Sequence, residues 1–447
     1  MVENTFNYEA KAKDNTIEKE TYPVIVAGLN YGARADFEHS LEELISLVEA
    51  CDLDPVCTIS QNMVHPDPGT YFGAGKISEI KDAVEEYHAE YVVVEDNLSP
   101  AQLRNIEGLL KCEVWDRTTL ILEIFSRRAK TREARLQVEA AYLKYMLPRL
   151  SGMWQHLGRQ GGGGGSRANK GEGETQIELD RRQIRHRIDE LGRELKLMEK
   201  TRNTQRMGRD RSNVPKCALV GYTNAGKSTI MNMLLTKSGS SEDKKVLQKD
   251  MLFATLDTSI RLIKTEDNRD FLLSDTVGFI EHLPHELIKA FRSTLEEAVQ
   301  SDLLLVVLDA SDEHVDAHKA VTESTLREIG GNDIPRIYIM NKSDCKEDMN
   351  FTAPIIREDT IFISAKNDMG LDELIGMIGD RLYGSDKELD IVIPYSEGEI
   401  LNILHEKGRI YSEEYKEDGV HVKGACPKAH LGALIRCGLV EEEKDFS

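Results

Sequence analysis

Long apolar runs are missing from this 447-residue chain: nowhere do eighteen apolar residues follow one another, which argues against a membrane-spanning helix. The opening stretch MVENTFNYEAKAKDN likewise lacks the apolar core of an export signal, so a cytoplasmic protein without membrane insertion is expected. Cysteine is sparse. The seven cysteines, at 51, 57, 112, 217, 345, 426 and 437, form no CxxC pair, which argues against a disulfide scaffold and for reduced thiols. Twelve histidines give no zinc-ligand spacing; His314 and His318 stand four apart on a helical pattern, and without a third ligand they are expected to face solvent. Positive charge is also short. The net charge of -21 ordinarily argues against nucleic acid, but its distribution reverses that inference for one segment. Residues 127–216 hold 22 Lys and Arg against 11 Asp and Glu, whereas the remainder holds 35 against 67. A basic island between acidic ends suits a localised contact with a phosphate backbone; its plainer reading is a solvated helix surface.

What the chain does carry is a complete G-x-x-x-x-G-K-[ST] phosphate loop: Gly221, Tyr222, Thr223, Asn224, Ala225, Gly226, Lys227 and Ser228. Gly221 and Gly226 permit backbone angles closed to other residues, so successive N–H groups turn onto a triphosphate at a helix N-terminus. In this motif the lysine, here Lys227, reaches the β and γ phosphates, and the Ser228 hydroxyl ligates magnesium. The apolar run at 216–220 and the helical pattern at 229–235 supply the strand, loop, helix order that the motif requires. A chance glycine-rich turn is the bland alternative, and the segments downstream weigh against it.

Asp275, Thr276, Val277 and Gly278 follow an apolar run and form a DxxG element, with Asp275 at a strand end to hold a magnesium-bound water. Asn341, Lys342, Ser343 and Asp344 follow another apolar run and match an NKxD base reader. The carboxylate of Asp344 can accept from the N1–H and exocyclic amino group of guanine, donors that adenine does not present in that pattern. GTP is therefore the expected substrate. Ser364, Ala365 and Lys366, after a third apolar run, supply backbone cover for the base. Between the phosphate loop and Asp275 a threonine should close on magnesium and the γ phosphate. Phe253, Ala254, Thr255, Leu256 and Asp257 are the candidate segment, and the alternative is a surface loop with incidental threonines at 255 and 258.

After Gly278 stands Phe279, where many such enzymes place a glutamine to orient the attacking water. Slow intrinsic hydrolysis is expected, or a water positioned by another group or a bound partner. His282 and His285 lie nearby and are more readily structural than catalytic. Asn224 admits two readings, a ligand for a monovalent cation such as potassium and a residue that steadies the turn.

An α/β chain of four domains is expected. Residues 1–126 form an N-terminal α/β domain, with apolar runs at 24–27, 91–94 and 114–115 alternating with helical patterns at 41–48 and 103–110. Its glycine-rich loop at 69–76 has the wrong spacing for a triphosphate, so a structural turn is favoured over a second nucleotide cradle. Residues 127–212 form a basic hairpin of two long antiparallel helices at 127–150 and 176–211. Ile177, Ile184, Ile188, Leu191, Leu195 and Met198 make a heptad seam that meets Leu136, Ala140, Leu143 and Leu147. Five glycines at 161–165, with Trp154, His156, Arg159, Arg167 and Lys170 around them, join the arms. They suit a flexible linker, or a loop that enters RNA and stacks on unpaired bases; the second is favoured because a connector between antiparallel helices can be far shorter. Residues 213–384 form a P-loop GTPase domain with a mixed or parallel sheet. Residues 385–447 form a small α+β appendage of strand, helix, hairpin and helix.

With these segments in view the chain resembles the HflX family of translational GTPases over nearly its whole length. The resemblance rests on the phosphate loop, 253–257, 275–279, and on GAGK at 73–76, LQVE at 136–139, PRL at 148–150, RQGGG at 159–163, GETQ at 173–176 and DRR at 180–182. It implies a cytoplasmic GTP hydrolase that binds the large ribosomal subunit, whose rRNA and proteins stimulate hydrolysis, and that dissociates stalled or idle ribosomes. It further implies magnesium at Ser228 and at Thr255 rather than Thr258, and hairpin-loop contact with rRNA near the peptidyl-transferase region. Lys227, Thr255 and Gly278 are then the candidate catalytic residues, in a monomer. Two departures touch the rRNA contact and the mobile segment: Thr258 stands where the family commonly has proline, and Asn169 and Glu172 alter the usual RGPGETQ. A ribosome-assembly or RNA-remodelling factor with ATP bound near Gly73 to Lys76 is the rival function. Regulation of a protein partner through the C-terminal appendage is a third.

Overall fold

The computed structural model describes residues 22–32, 34, 36–149, 168–210, 214–239, 253, 259–266, 269–280, 297–346, 354–384, 386–426 and 431–440. They fall into two compact units, Met1–Arg127 with Tyr142–Ile188 and Arg128–Ala141 with Asp189–Ser447. No helix among the described residues is long and apolar enough to cross a membrane.

In the first unit β1 (Tyr22–Tyr31), β2 (Leu53–Met63), β3 (Tyr91–Val94) and β4 (Glu113–Asp116) make a parallel sheet in the order β2-β1-β3-β4. The run from Val24 to Ala27 is wholly buried because parallel strands are covered on both faces. Strand β2 is absent from the sequence expectation. It lies at the sheet edge, where Pro55 is tolerated and polar residues alternate outward, so it lacks an apolar run. The glycine-rich loop is a turn closed on its own carboxylate: Asp67 Oδ1 accepts from the amides of Gly69 at 2.8 Å and Thr70 at 2.7 Å, and Gly73 N–H donates to Gln61 Oε1 at 3.1 Å. Amides engaged in this way favour the structural reading. A buried brace closes the far end of the sheet, where Arg149 donates to Asp116 Oδ2 at 2.8 Å and to the Leu98 carbonyl at 2.9 Å, its guanidinium lying over the Tyr145 ring.

The helix expected over 127–150 is two. Arg117–Arg128 ends, and Arg132–Met146 starts anew, with the Thr131 hydroxyl accepting from Ala134 N–H at 3.1 Å as an N-terminal cap. The second arm is one helix, Ala168–Asp210. Of the expected seam Ile184 and Leu191 are buried, Ile188, Leu195 and Met198 are half-buried and Leu197 beside it is 64% exposed; Leu136, Ala140 and Leu143 on the preceding helix are buried. Arg132 pairs with Glu194 at 2.8 Å.

In the second unit seven strands form a mixed sheet, β5 (Lys216–Gly221), β6 (Ser259–Ile263), β7 (Phe271–Asp275), β8 (Leu303–Asp309), β9 (Arg336–Asn341), β10 (Ile355–Arg357) and β11 (Thr360–Phe362). Their order is β10-β11-β9-β8-β5-β7-β6, parallel except for the two edge strands. Apolar clusters fill both faces, one centred on Leu219, Leu234, Leu305 and Ile339, the other on Val220, Val306 and Leu326. Beyond it β12 (Lys387–Ile393), β13 (Arg409–Lys416) and β14 (Gly419–Cys426) form an antiparallel sheet in the order β12-β14-β13. Leu389, Ile393, Val420 and Val422 cluster with Ile400, Leu404 and Leu434 from the helices Gly398–Lys407 and Leu431–Arg436.

Candidate active site

Strands β5, β7, β8 and β9 run parallel and end at Gly221, Asp275, Asp309 and Asn341, so one sheet edge gathers the polar residues of four separate segments. At that edge Gly221 has φ +143° and Gly226 φ +94°. A Cβ on Gly221 would lie 2.2 Å from the Val307 carbonyl oxygen, and one on Gly226 would lie 2.2 Å from Asn341 Nδ2. Both positions need glycine on two counts, backbone angle and space. Asn224, exposed, also has positive φ, at +59°, and Ala225 is buried.

The helix Lys227–Lys237 follows directly, so its open N–H groups face the loop. Lys227 is buried and its Nζ donates to the carbonyls of Gly221 at 3.0 Å and Tyr222 at 2.6 Å. Burial pulls its pKa down to about 8, against the opposing charge of Asp275. Ser228 Oγ donates to Asp275 Oδ2 at 2.7 Å. A hydroxyl and a carboxylate in contact at a helix start are hard oxygen donors, a set that fits magnesium carrying several of its own waters.

The DxxG segment is locked to the phosphate loop. Thr276 Oγ1 donates to the Leu219 carbonyl at 2.7 Å, Phe279 N–H to the Gly221 carbonyl at 3.0 Å, and Thr223 N–H to the Phe279 carbonyl at 2.8 Å. Val277 is buried, and the Phe279 ring belongs to the core cluster with Ala218, Val220 and Ala298. Phe279 thus contributes a backbone bridge here, and its side chain lies away from water. Gly278 is in close quarters: a Cβ there would lie 3.0 Å from Lys227 Nζ.

At the base end, Asn341 is a brace. Its Nδ2 donates to the Ala225 carbonyl at 2.9 Å and its Oδ1 accepts from Ala365 N–H at 3.1 Å, joining the phosphate loop to the 364–366 segment. Lys342, at φ +58°, pairs with Asp309 at 2.8 Å, and buried Ser343 donates from its amide to the Ile363 carbonyl at 3.1 Å. Asp344 is exposed and accepts from Asn367 Nδ2 at 3.0 Å; a hydrogen bond with Ser364 is the main cause holding its carboxyl below the usual range. Ser364 and Ala365 are buried while Lys366 is exposed.

One expectation is corrected. His318 is buried, with its ring stacked on Tyr222 at 3.7 Å and 12° and its Nδ1 3.3 Å from Asp312 Oδ2. The helix Val315–Ile329 buries His318, Thr322, Leu326 and Ile329, a spacing of four, four and three that the sequence offered as a signal for an inward histidine. Asp309 and Asn367 were also unforeseen, since each joins the site only through tertiary contact. Phe253 is buried at φ +53°; Ala254, Thr255, Leu256 and Asp257 lie outside the described residues, as do His282, His285 and the glycines at 161–165.

A phosphate loop with its lysine and serine, a DxxG carboxylate on the neighbouring strand and an NKxD loop on a mixed sheet define a P-loop GTPase. Residues 38–126 match a family model described as GTP-binding GTPase N-terminal, 128–209 the GTP-binding GTPase middle region, and 216–342 a 50S ribosome-binding GTPase. The chain is 42% identical to GTPase HflX of Lacrimispora saccharolytica over 92% of its own length and 95% of that protein. It is 40% identical to GTPase HflX of Escherichia coli, over 85% and 87% respectively. A solved structure of a GTP-binding protein from Sulfolobus solfataricus in complex with GDP is 25% identical, covering 81% of this chain and 99% of that one, at a TM-score of 0.42. The chain belongs to the HflX family of GTPases.

Proposed function

We propose that this protein hydrolyses GTP on the large ribosomal subunit, that the ribosome stimulates the reaction, and that the cycle dissociates stalled or idle ribosomes. The triphosphate lies along the amides of 221–228, where Lys227 offers its charge to the β and γ phosphates. Ser228 and Thr255 would hold magnesium, with Asp275 on one of its waters, and the bound ion would supply positive charge to the phosphate oxygens. Gly278 donates its amide toward the γ phosphate. The base is read by Asp344 from its two donors, with Asn341, Lys342 and Ser343 building the loop that carries it and 364–366 covering the ring. Positive φ at exposed Asn224 suits the turn-steadying reading; exchange of potassium for sodium in a hydrolysis assay tests the other. The chain acts as a cytoplasmic monomer.

The observation that carries this reading is the union in one chain of a segment matching a 50S ribosome-binding GTPase family with a basic segment, 127–216, of 22 Lys and Arg against 11 Asp and Glu. Clustered cations on helices suit rRNA phosphates, and an acidic remainder disfavours indiscriminate binding. Sedimentation of purified ribosomes with a non-hydrolysable GTP analogue tests it. Co-migration with the large subunit at physiological salt is expected; absence of co-migration overturns the reading.

A further inference from the structure

Phe279 leaves the attacking water without the side chain that related enzymes place after the DxxG glycine, and the phosphate loop itself offers a replacement. Thr223, its third residue, is 6% exposed, and its Oγ1 is buried without a hydrogen-bond partner among the described residues. Folded proteins rarely leave a buried hydroxyl unsatisfied unless a water, ion or ligand meets it. The surroundings of Thr223 identify which one. A Cβ on Gly278 would lie 2.8 Å from Thr223 Cα, 2.8 Å from its Cγ2 and 3.0 Å from Lys227 Nζ. The backbone and methyl of Thr223, the DxxG glycine and the lysine ammonium therefore lie together, with the partnerless hydroxyl on the same side chain, and the Thr223 amide donates to the Phe279 carbonyl at 2.8 Å.

We infer that the Thr223 hydroxyl holds the attacking water against the γ phosphate, supplying from the phosphate loop what Phe279 cannot. The inference rests on the GTPase reading of this site. In the step concerned, the water oxygen bonds to the γ phosphorus as the bond from that phosphorus to the β–γ bridging oxygen breaks. The electron pair leaves with GDP, and the proton lost by the water ends on the released phosphate. Thr223 accepts a hydrogen bond from the water, donates its own to a γ oxygen, and finishes unchanged. Water held in line in this way reacts faster without GTP being bound more tightly.

The test uses the full chain with GTP and magnesium and no ribosomes, measuring single-turnover hydrolysis, GTP affinity and thermal midpoint. Thr223→Val removes the hydroxyl and keeps the branched shape, and is expected to hydrolyse about tenfold more slowly with affinity within about twofold of wild type. Thr223→Ser keeps the hydroxyl and is expected to retain at least about a third of the rate. Should the valine variant fail to fold, Thr223→Ala gives the same comparison without added bulk. Wild-type rates in the variants lacking the hydroxyl, a serine variant as slow as valine, or a slowing matched by lost affinity would each overturn the assignment. Failure of the wild-type chain to bind GTP is a separate result and refutes the GTPase reading instead.

Discussion

Lys227 is the residue whose chemistry is most exposed to test. Burial beneath the loop lowers its pKa from 10.5 to about 8. The unfolded chain therefore binds that proton more tightly than the folded one, so the burial penalty is present in full below pH 8 and relieved as pH rises toward 10.5. A triphosphate beside the ammonium pulls the pKa back up. GTP binding at about pH 8.5 should thus take up a large fraction of a proton, and at about pH 6.5 almost none. Calorimetric titration in two buffers of different ionisation enthalpy measures this, and equal heats in both at the higher pH would contradict it.

Asp344 makes the second residue-scale prediction. In the proposed reading its carboxylate accepts from two guanine donors, and Asp344→Asn replaces an acceptor with a donor, which matches xanthine. Preference should cross over, with GTP affinity falling at least about tenfold and xanthosine triphosphate affinity rising. Nucleotide titrations that still favour GTP would refute the base-reading role. The sequence proposes this residue because the NKxD pattern is contained in four consecutive positions. Asn341 was legible only as a member of that motif. Its brace between Ala225 and Ala365 spans 116 and 24 positions, separations that no local pattern encodes.

At the scale of elements, the strand-loop-helix at 216–237 was evident because a buried parallel strand is an unbroken apolar run and the glycines after it have one use in that context. The appendage was evident too, down to its hairpin, although the sequence could not show that β14, last in order, lies between β12 and β13. Strand β2 was hidden by its edge character, and His318 by the habit of assigning polar residues outward. Phe279 illustrates how an element's role follows from packing. Sequence showed only that it cannot orient water; its burial shows that it anchors the DxxG segment to the core. Phe279→Ala should cost about 3 to 5 kcal/mol through the cavity it leaves. It should also change turnover more than GTP affinity, because the phosphate loop contacts remain. An unaltered thermal midpoint would contradict the burial, and an affinity loss larger than the loss in turnover would contradict the anchoring role.

At the scale of the whole chain the charge distribution and the nucleotide site go together: an acidic GTPase whose sequence carries a basic segment, 127–216, after its N-terminal strands and before its phosphate loop. Neither feature alone specifies a ribosome. Membership of the HflX family and the match of residues 216–342 to a family described as 50S ribosome-binding GTPase support the proposal that the phosphates met by the basic segment are ribosomal. Under that proposal Phe279 leaves room for the ribosome to act, since a threonine hydroxyl in place of the usual glutamine leaves rate to gain. The most direct measurement is the rate of GTP hydrolysis by the full chain as isolated large ribosomal subunits are titrated in. A saturable rise of at least about tenfold, absent with small subunits, is predicted. A rate that stays at its basal value through saturating large subunits would contradict the claim that this GTPase works on the ribosome.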